Sequence, residues 1–373
     1  MRTHNKKAIC FTLWFPNHNN PRYVDLFPRL SAVVQFRKVP LSRRRVIRAL
    51  EYRVWNALSR RIIYPAVIRY FSRRYENLFT VTTDQIASWP REQGVIVDID
   101  DPVFSRAEIE ALNLPQVKAI IVTTKKAKMI FQRLGVTRPI HVIPQGVSFG
   151  QPDAHKIHEI RKRFKTDGDV TVGYHAPSLT LSADGPKRAR GDQDDLDFLF
   201  AALEQARQVE PRIKLWLIGH PSKCVKGYVD RGRASWINLL GYVNLSEIPN
   251  YLAAIDVGVY PRTWSPPPAR FSVKIAQFMA VGIPVVSTKL DESFILEEAR
   301  CGIVCESQED FSGTLVELAR SAERRVELGK AGRMYAQAKL DWSVLAPMYR
   351  EILDKEVVAV TSSYIQSGNL NDR

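Results

Sequence analysis

Residues 270–288, RFSVKIAQFMAVGIPVVST, contain two secondary-structure elements joined by a short turn. Apolar residues recur at helical spacing over 271–282, and Gly282 is the kind of residue that commonly ends a helix. The β-branched run that follows, over 283–288, predicts a buried strand. A helix that leads through glycine directly into such a strand is typical of a parallel sheet covered by helices.

The same alternation of strand and helix extends through the whole chain. Apolar runs predict strands in the first half at 8–15, 78–83, 94–100, 117–124 and 139–144, and in the second half at 169–175, 213–219, 235–241, 257–261 and 283–288. Helices are predicted between the later strands, over 196–208, 246–256 and 271–282. This order predicts an α/β protein with two parallel sheets built from right-handed βαβ units.

The length of 373 residues also favours two domains. We expect the first domain to cover residues 1–147 and the second to cover 148–345, with a hinge near 146–153. A C-terminal helix within 346–373 is expected to return toward the first domain and to end in a polar tail.

Composition limits the class of protein. The chain is 45% hydrophobic and 25% charged, which is typical of a soluble globular protein, and no window reaches the roughly 18 apolar residues of a membrane span. The basic N-terminus lacks a signal-peptide cleavage site. Four cysteines are too few for a disulfide framework, and Cys301 and Cys305 lack zinc-site spacing. A reducing, cytoplasmic location is therefore expected.

Positive charge is concentrated in one region. The formal net charge is +15, and residues 37–74 contain many arginines interleaved with aromatic and aliphatic residues but a single acid, Glu51. Such a stretch favours an anionic membrane surface, although a solvated basic face or a nucleic-acid partner would give a similar composition. No recognisable nucleic-acid module is present, so no nucleic-acid partner is expected.

Several common sites have no motif in this chain. No G-x-G-x-x-G follows a predicted strand, which counts against a nicotinamide or flavin site. The G-x-x-x-x-G-K-[ST] of a P-loop and the G-x-S-x-G of an esterase nucleophile are also missing.

Four segments in succession resemble the GT-B glycosyltransferases, in particular retaining family 4. They are VKAIIVTTKKAKMIFQRLGVTRPIHVIPQGV (117–147), IKLWLIG (213–219), INLLGYVNLSEIPNYLAAIDVGVYP (237–261) and the 270–288 stretch. The resemblance implies two Rossmann-like domains that face each other across a cleft. It also implies transfer of a sugar from a nucleotide-diphosphate sugar to an acceptor hydroxyl, with retention of configuration and without a metal or another cofactor.

The resemblance places the donor site at the start of the 271–282 helix. The free N–H groups and positive dipole end of a first turn suit a diphosphate. Ser272, Val273 and Lys274 are the donor-binding candidates there, and Gln277 stands where the family has a glutamate that binds the ribose hydroxyls. The first glutamate of the family pair is replaced by Ala269.

Two further regions complete the implied donor site. The loop after the first strand of the second domain offers Lys187, Arg188 and Arg190, where the family has cations for the departing diphosphate. Of these, Arg190 is the stronger candidate. Tyr242 stands where the family meets the nucleobase.

Polar residues of the first domain supply the catalytic and acceptor candidates. Asp98, Asp100 and Asp101 follow an apolar strand, and we expect these carboxylates to face the reaction centre. Because Asp98-Ile99-Asp100 also spells D-x-D, a metal-dependent transferase is an alternative. Asn17, His18 and Asn19 offer hydrogen bonds to an acceptor.

The expected partners are a nucleotide-diphosphate sugar and a glycan or lipid-linked acceptor, as in polysaccharide biosynthesis. The basic stretch 37–74 would then hold the protein on the inner face of a membrane. Because Ala269 lacks a carboxylate, a non-catalytic nucleotide-sugar-binding protein on the same fold is a second alternative.

Overall fold

A computed structural model of the chain describes residues 8–12, 21–38, 64–75, 77–83, 85–148, 152–184, 196–230, 235–262 and 269–367. The first half of the described chain contains six strands and four helices. The strands are β1 (Ala8–Thr12), β2 (Val34–Lys38), β3 (Asn77–Thr80), β4 (Gly94–Ile99), β5 (Val117–Val122) and β6 (Ile140–Val142). The helices are α1 (Pro21–Leu30), α2 (Tyr64–Ser72), α3 (Arg106–Leu112) and α4 (Lys125–Arg133).

The second half of the described chain repeats the alternation. Its strands are β7 (Val170–Leu179), β8 (Ile213–Pro221), β9 (Ile237–Gly241), β10 (Val257–Tyr260), β11 (Val285–Thr288) and β12 (Gly302–Cys305). Its helices are α5 (Ala154–Phe164), α6 (Leu196–Val209), α7 (Lys223–Asp230), α8 (Ile248–Ala253), α9 (Val273–Val281), α10 (Phe294–Ala299), α11 (Gln308–Arg320), α12 (Ala322–Lys339) and α13 (Trp342–Ser367).

Two units divide the chain. The first comprises Met1–Gln145, Ala269–Phe271 and Trp342–Arg373, and the second comprises Gly146–Pro268 and Ser272–Asp341. The boundaries expected from the sequence, at 147/148 and 345/346, lie close to these. The placement of Ala269–Phe271 in the first unit was not expected, because the segment immediately precedes a helix of the second unit.

The sheet of the first unit is parallel and has the order β2-β1-β3-β4-β5-β6. Side chains of one face, such as Val95 and Val97, pack with Ile68 of α2 and Phe131 of α4. The other face, which includes Ile96, packs with α1 and α13. Helices therefore cover both faces, which explains why Val95, Ile96 and Val97 of β4 are all apolar rather than alternating with polar residues.

The sheet of the second unit is also parallel, with the order β12-β11-β10-β7-β8-β9. From β7 the chain builds outward through β8 and β9. It then returns to the other side of β7 and continues through β10, β11 and β12. The direction of strand addition thus reverses between β7 and β10. In open α/β sheets, this topological switch point is where ligands bind, beyond the carboxyl ends of the strands.

The predicted α/β class with two parallel sheets is confirmed. Two strands were missed, β2 (VQFRK) and β12 (GIVC), and both lie at sheet edges. Edge strands need no continuous apolar run, so polar residues such as Gln35 weaken the pattern that marks the central strands. Among the described residues, no helix is long and apolar enough to cross a membrane.

Close packing of helix α9 on the sheet generates a stability prediction. A Cβ at Gly258 of β10 would lie 2.6 Å from ring atoms of Phe278 on α9. We expect Gly258→Ala to lower the free energy of unfolding by about 1–3 kcal/mol, because the ring must shift to accommodate the methyl group. Urea denaturation measures this change.

The matched control is Gly227→Ala in helix α7, where no atom of the described residues lies within 4 Å of the added Cβ. Alanine favours a helix over glycine by about 0.5–1 kcal/mol, so this variant should unfold at a higher urea concentration than the wild type. Equal effects of the two substitutions would contradict the close approach at Gly258.

Candidate functional site

The candidate site lies in the second unit, at the carboxyl ends of β7 and β10. Tyr174 and His175 are the two central residues of β7, and Tyr260 is the last residue of β10. All three residues are buried, and the ring of His175 contacts Phe278 of α9, with 5.3 Å between ring centroids. The switch point is therefore lined by polar aromatic side chains that are fixed by packing.

Helix α9 begins at this edge. Its N-cap residue Ser272 has an extended backbone, with φ −82° and ψ 111°, and within the described residues its hydroxyl makes no capping hydrogen bond. The apolar side of the helix, Ile275, Phe278 and Met279, is fully buried. Packing thus fixes a helix whose first-turn N–H groups and positive dipole end suit an anion.

Lys274 adds a positive charge to this first turn. Its ammonium nitrogen lies 5.4 Å from the ring centroid of Tyr174 and 5.9 Å from that of Tyr260. An ammonium over an aromatic face is attracted by the quadrupole of the ring. Tyr174 of β7 and Tyr260 of β10 therefore hold the Lys274 side chain at the switch point, and its role in donor binding stays a prediction.

A second cation at this edge, Arg262, was not among the predicted site residues. It lies two residues after the end of β10 and is buried, and its guanidinium carbon lies 5.6 Å from the ring centroid of Tyr260. Its backbone N–H donates to the hydroxyl oxygen of Thr288 at 2.9 Å, and that hydroxyl donates to the Arg262 carbonyl. A single arginine after a strand carries no sequence pattern that could have identified it.

Tyr242 lies further along the same edge, immediately after β9. Its ring stacks on His220 of β8, with centroids 4.7 Å apart and an interplanar angle of 8°. The Tyr242 side chain is 45% exposed, and Gly241 supplies the left-handed turn, at φ 77°, that precedes it. An exposed, stacked ring offers a surface on which a further flat ring can stack.

The structure describes some of the other donor-site candidates and not others. Val273 begins helix α9, and Gln277 is half-buried one turn after Val273 and Lys274, so it lies on their side of the helix. Lys187, Arg188 and Arg190 lie outside the described residues, as do Asn17, His18 and Asn19 of the acceptor prediction.

The aspartates of the first unit are not one exposed group. Asp98 is fully buried and receives two bonds from Arg22, Nη2 to Oδ1 at 2.8 Å and Nε to Oδ2 at 3.2 Å. The hydroxyl of Tyr349 on α13 lies 3.3 Å from both carboxylate oxygens. Burial raises the pKa of this tyrosine well above its usual value, so it stays protonated and donates to Asp98.

This placement corrects the expectation that Asp98 lies open to a substrate or metal. The carboxylate ends a strand, but the buried guanidinium of Arg22 takes both of its oxygens. Among the described residues, no group of three or more His, Cys, Asp or Glu side chains could hold a metal ion.

Asp100 and Asp101 lie closer to the surface than Asp98. The Asp101 side chain is 60% exposed and pairs with Arg270, with Oδ1 2.7 Å from Nε. Asp100 is half-buried, and its backbone carbonyl accepts a hydrogen bond from Thr123 at 3.5 Å. Their catalytic role stays a prediction.

The segment 269–271 is fastened to the first unit by more than this ion pair. The carbonyl of Ala269 accepts a hydrogen bond from the Thr124 hydroxyl at 2.8 Å, and its side chain belongs to the apolar core there. Its backbone is left-handed, at φ 76°, which is uncommon for alanine. At the position of the family's first glutamate, the chain thus has a small, buried side chain.

Known proteins resemble this chain in fold. HepE of Anabaena, solved in complex with UDP, has a TM-score of 0.69 at 15% identity, over 94% of this chain and 99% of HepE. Sucrose-phosphate synthase of Thermosynechococcus elongatus gives 0.68 at 14% identity, over 95% and 100%. The glycosyltransferase WaaG, involved in lipopolysaccharide biosynthesis, gives 0.61 at 15% identity, over 93% and 99%.

This chain has the GT-B glycosyltransferase fold. Residues 187–321, which belong to the second unit except for 269–271, match the family model "Glycosyl transferases group 1". The predicted resemblance to GT-B glycosyltransferases and the prediction of two Rossmann-like domains are therefore confirmed.

One curated relative of this GT-B chain matches a shorter stretch. Spore coat protein SA of Bacillus subtilis (strain 168) is 25% identical over 123 residues, 32% of either chain. The aligned stretch thus spans about a third of that relative.

The buried ion pair predicts how aspartate substitutions affect folding of this GT-B protein. We expect Asp98→Ala to lower the free energy of unfolding by about 3–5 kcal/mol, because Arg22 is left as an uncompensated buried charge. Asp101→Ala should change it little, since exposed ion pairs contribute little to stability. Urea denaturation of both variants measures the difference, and equal stabilities would contradict the structural role of Asp98.

Proposed function

We propose that this protein is a glycosyltransferase that moves a sugar from a nucleotide-diphosphate sugar to an acceptor hydroxyl. The observation that carries the proposal is the position of Lys274. Its ammonium is held by Tyr174 and Tyr260 at the first turn of α9, beside the switch point of the sheet. A fixed cation and a helix N-terminus at a switch point form a diphosphate site. The family match over 187–321 and the UDP complex of HepE support the same function.

The donor is proposed to lie along the carboxyl edge of the second sheet. The diphosphate binds at Ser272, Val273 and Lys274, and the Gln277 amide binds the ribose hydroxyls, since an amide both donates and accepts. The nucleobase stacks on the exposed face of Tyr242, whose ring is already aligned by His220. Arg188 and Arg190 are proposed to neutralise part of the negative charge of the departing diphosphate.

The chemistry is proposed to be electrostatic. Cleavage of the bond between the sugar and the diphosphate leaves negative charge on the phosphate oxygens. Lys274 and the first-turn N–H groups stabilise this charge most when it is fully developed, which lowers the barrier. These groups need no resident metal for this task. We propose retention of configuration on the strength of the resemblance to family 4.

The acceptor is proposed to be a glycan or a lipid-linked sugar at an anionic membrane surface. Within the basic stretch 37–74, the described helix α2 and the residues after it include Arg69, Arg73 and Arg74, and Arg74 stacks on the exposed ring of Tyr70 at 4.0 Å. Basic and aromatic side chains on one helix suit such a surface. Asp100 and Asp101 are proposed to contact the acceptor or the transferred sugar.

A second candidate function is donor binding without transfer. Ala269 favours it, because its buried methyl group replaces the carboxylate of the family and cannot hold the hydroxyls of a sugar. Incubation of the protein with nucleotide sugars and an acceptor panel, followed by measurement of released nucleoside diphosphate, separates the two. Turnover that persists in a chelator supports the metal-free transferase, whereas turnover that is lost in a chelator supports the D-x-D alternative. Binding of a nucleotide sugar without turnover supports the second function.

Lys274 provides the mutational test of the donor site. Lys274→Ala should weaken binding of UDP or the preferred nucleoside diphosphate about 10- to 100-fold, because a charge-assisted contact to phosphate is lost. Isothermal titration calorimetry measures the affinity. Lys330→Ala, an exposed lysine on α12, is the matched control and should bind like the wild type. Unchanged affinity of the Lys274 variant would remove the diphosphate from this site.

A further inference from the structure

We propose that Arg262 is a further cationic ligand of the donor diphosphate and that it acts together with Lys274. This proposal rests on the proposed function and names a residue of the same site. Neither the family motifs nor the charge pattern of the sequence identifies this arginine.

The position of Arg262 is fixed by its backbone. Its N–H and its carbonyl both bond to the hydroxyl of Thr288, which ends the neighbouring strand β11. The hydroxyl of Ser293 in turn donates to the Thr288 carbonyl at 2.9 Å, and Ser293 also bonds to the buried hydroxyl of Ser287 at 2.9 Å. Hydrogen bonds therefore tie the backbone of Arg262 to the end of β11.

The two cations converge on one aromatic ring. The guanidinium carbon of Arg262 lies 5.6 Å from the centroid of Tyr260, and the ammonium of Lys274 lies 5.9 Å from the same point. Both side chains are buried or half-buried, so water screens their charges less than it does at the surface. Both cations therefore lie near the residue that ends β10, the strand beside the switch point.

A diphosphate has the charge and shape that this pair requires. The guanidinium of arginine offers a planar set of donors that binds two phosphate oxygens at once, whereas lysine provides a compact point charge. Arg262 precedes and Lys274 follows the segment between β10 and α9, and both lie within 6 Å of the Tyr260 ring centroid. We propose that each cation contacts the diphosphate.

The test compares ligands with and without phosphate. Wild type and Arg262→Gln are titrated by calorimetry with UDP, GDP and ADP, with inorganic pyrophosphate, and with the corresponding nucleosides. We expect the substitution to weaken the preferred nucleoside diphosphate and pyrophosphate about 10- to 100-fold and to leave the nucleoside within about twofold, since only phosphate contacts are lost. Equal affinity of the variant and the wild type for the nucleoside diphosphate overturns the proposal.

Two further variants guard against an effect of misfolding. Arg325→Gln removes a half-buried arginine that bonds to the carbonyls of Leu318 and Ala319, at the end of α11, and should leave nucleotide affinity unchanged. Arg262→Lys keeps the charge and should recover part of the affinity, with a loss of about three- to tenfold relative to the wild type. If Arg262→Gln does not fold, a full wild-type affinity of Arg262→Lys for UDP and pyrophosphate overturns the proposal.

The outcome also separates this inference from the proposed function. Wild-type protein that binds none of the three nucleoside diphosphates overturns the donor site as a whole. Wild-type protein that binds one of them, with a loss in Lys274→Ala but none in Arg262→Gln, overturns only the role of Arg262.

Discussion

Helix α9 begins at the edge of the second sheet where the strand order reverses, between β7 and β10. Beyond the ends of β7 and β10, the sheet offers a position at which a helix N-terminus can meet a ligand. Gly258 lets Phe278 approach the strand, and the buried rings of Tyr174 and Tyr260 set the position of Lys274. Packing interactions thus fix the positive charge before any ligand binds, and preorganised charge is what stabilises a developing anion.

The first unit uses buried charge for a different purpose. Arg22, Asp98 and Tyr349 come from α1, β4 and α13, which are far apart in the sequence. The Nη1 atom of Arg22 also donates to the Pro144 carbonyl at 3.3 Å, one residue before the first segment of this unit ends at Gln145. Burial of a charge is unfavourable unless it is paired and hydrogen-bonded, so these segments must meet in one arrangement. The network therefore fixes the C-terminal helix on the sheet of the first unit.

The sequence predicted the sheets because central parallel strands are rich in consecutive apolar residues. It missed two edge strands: β2 contains polar residues, and β12 has only four residues and begins with glycine. Lys274 was identifiable because a family motif surrounds it. Arg262 was not, because its position after β10 is set by hydrogen bonds to Thr288, a residue 26 positions later. Asp98 and Asp100 look alike in sequence, and Asp98 is distinguished by its bonds to Arg22, 76 positions earlier, and to Tyr349, 251 positions later. Local pattern reveals elements, whereas the environment of a charged side chain is set by distant residues.

A crystal structure of the protein with bound nucleoside diphosphate tests the central claim most directly. We expect the phosphates to lie at the first turn of α9, within hydrogen-bonding distance of the Val273 and Lys274 N–H groups and of the Lys274 ammonium. Phosphates bound elsewhere, with the first turn of α9 in contact only with protein or solvent, would contradict it.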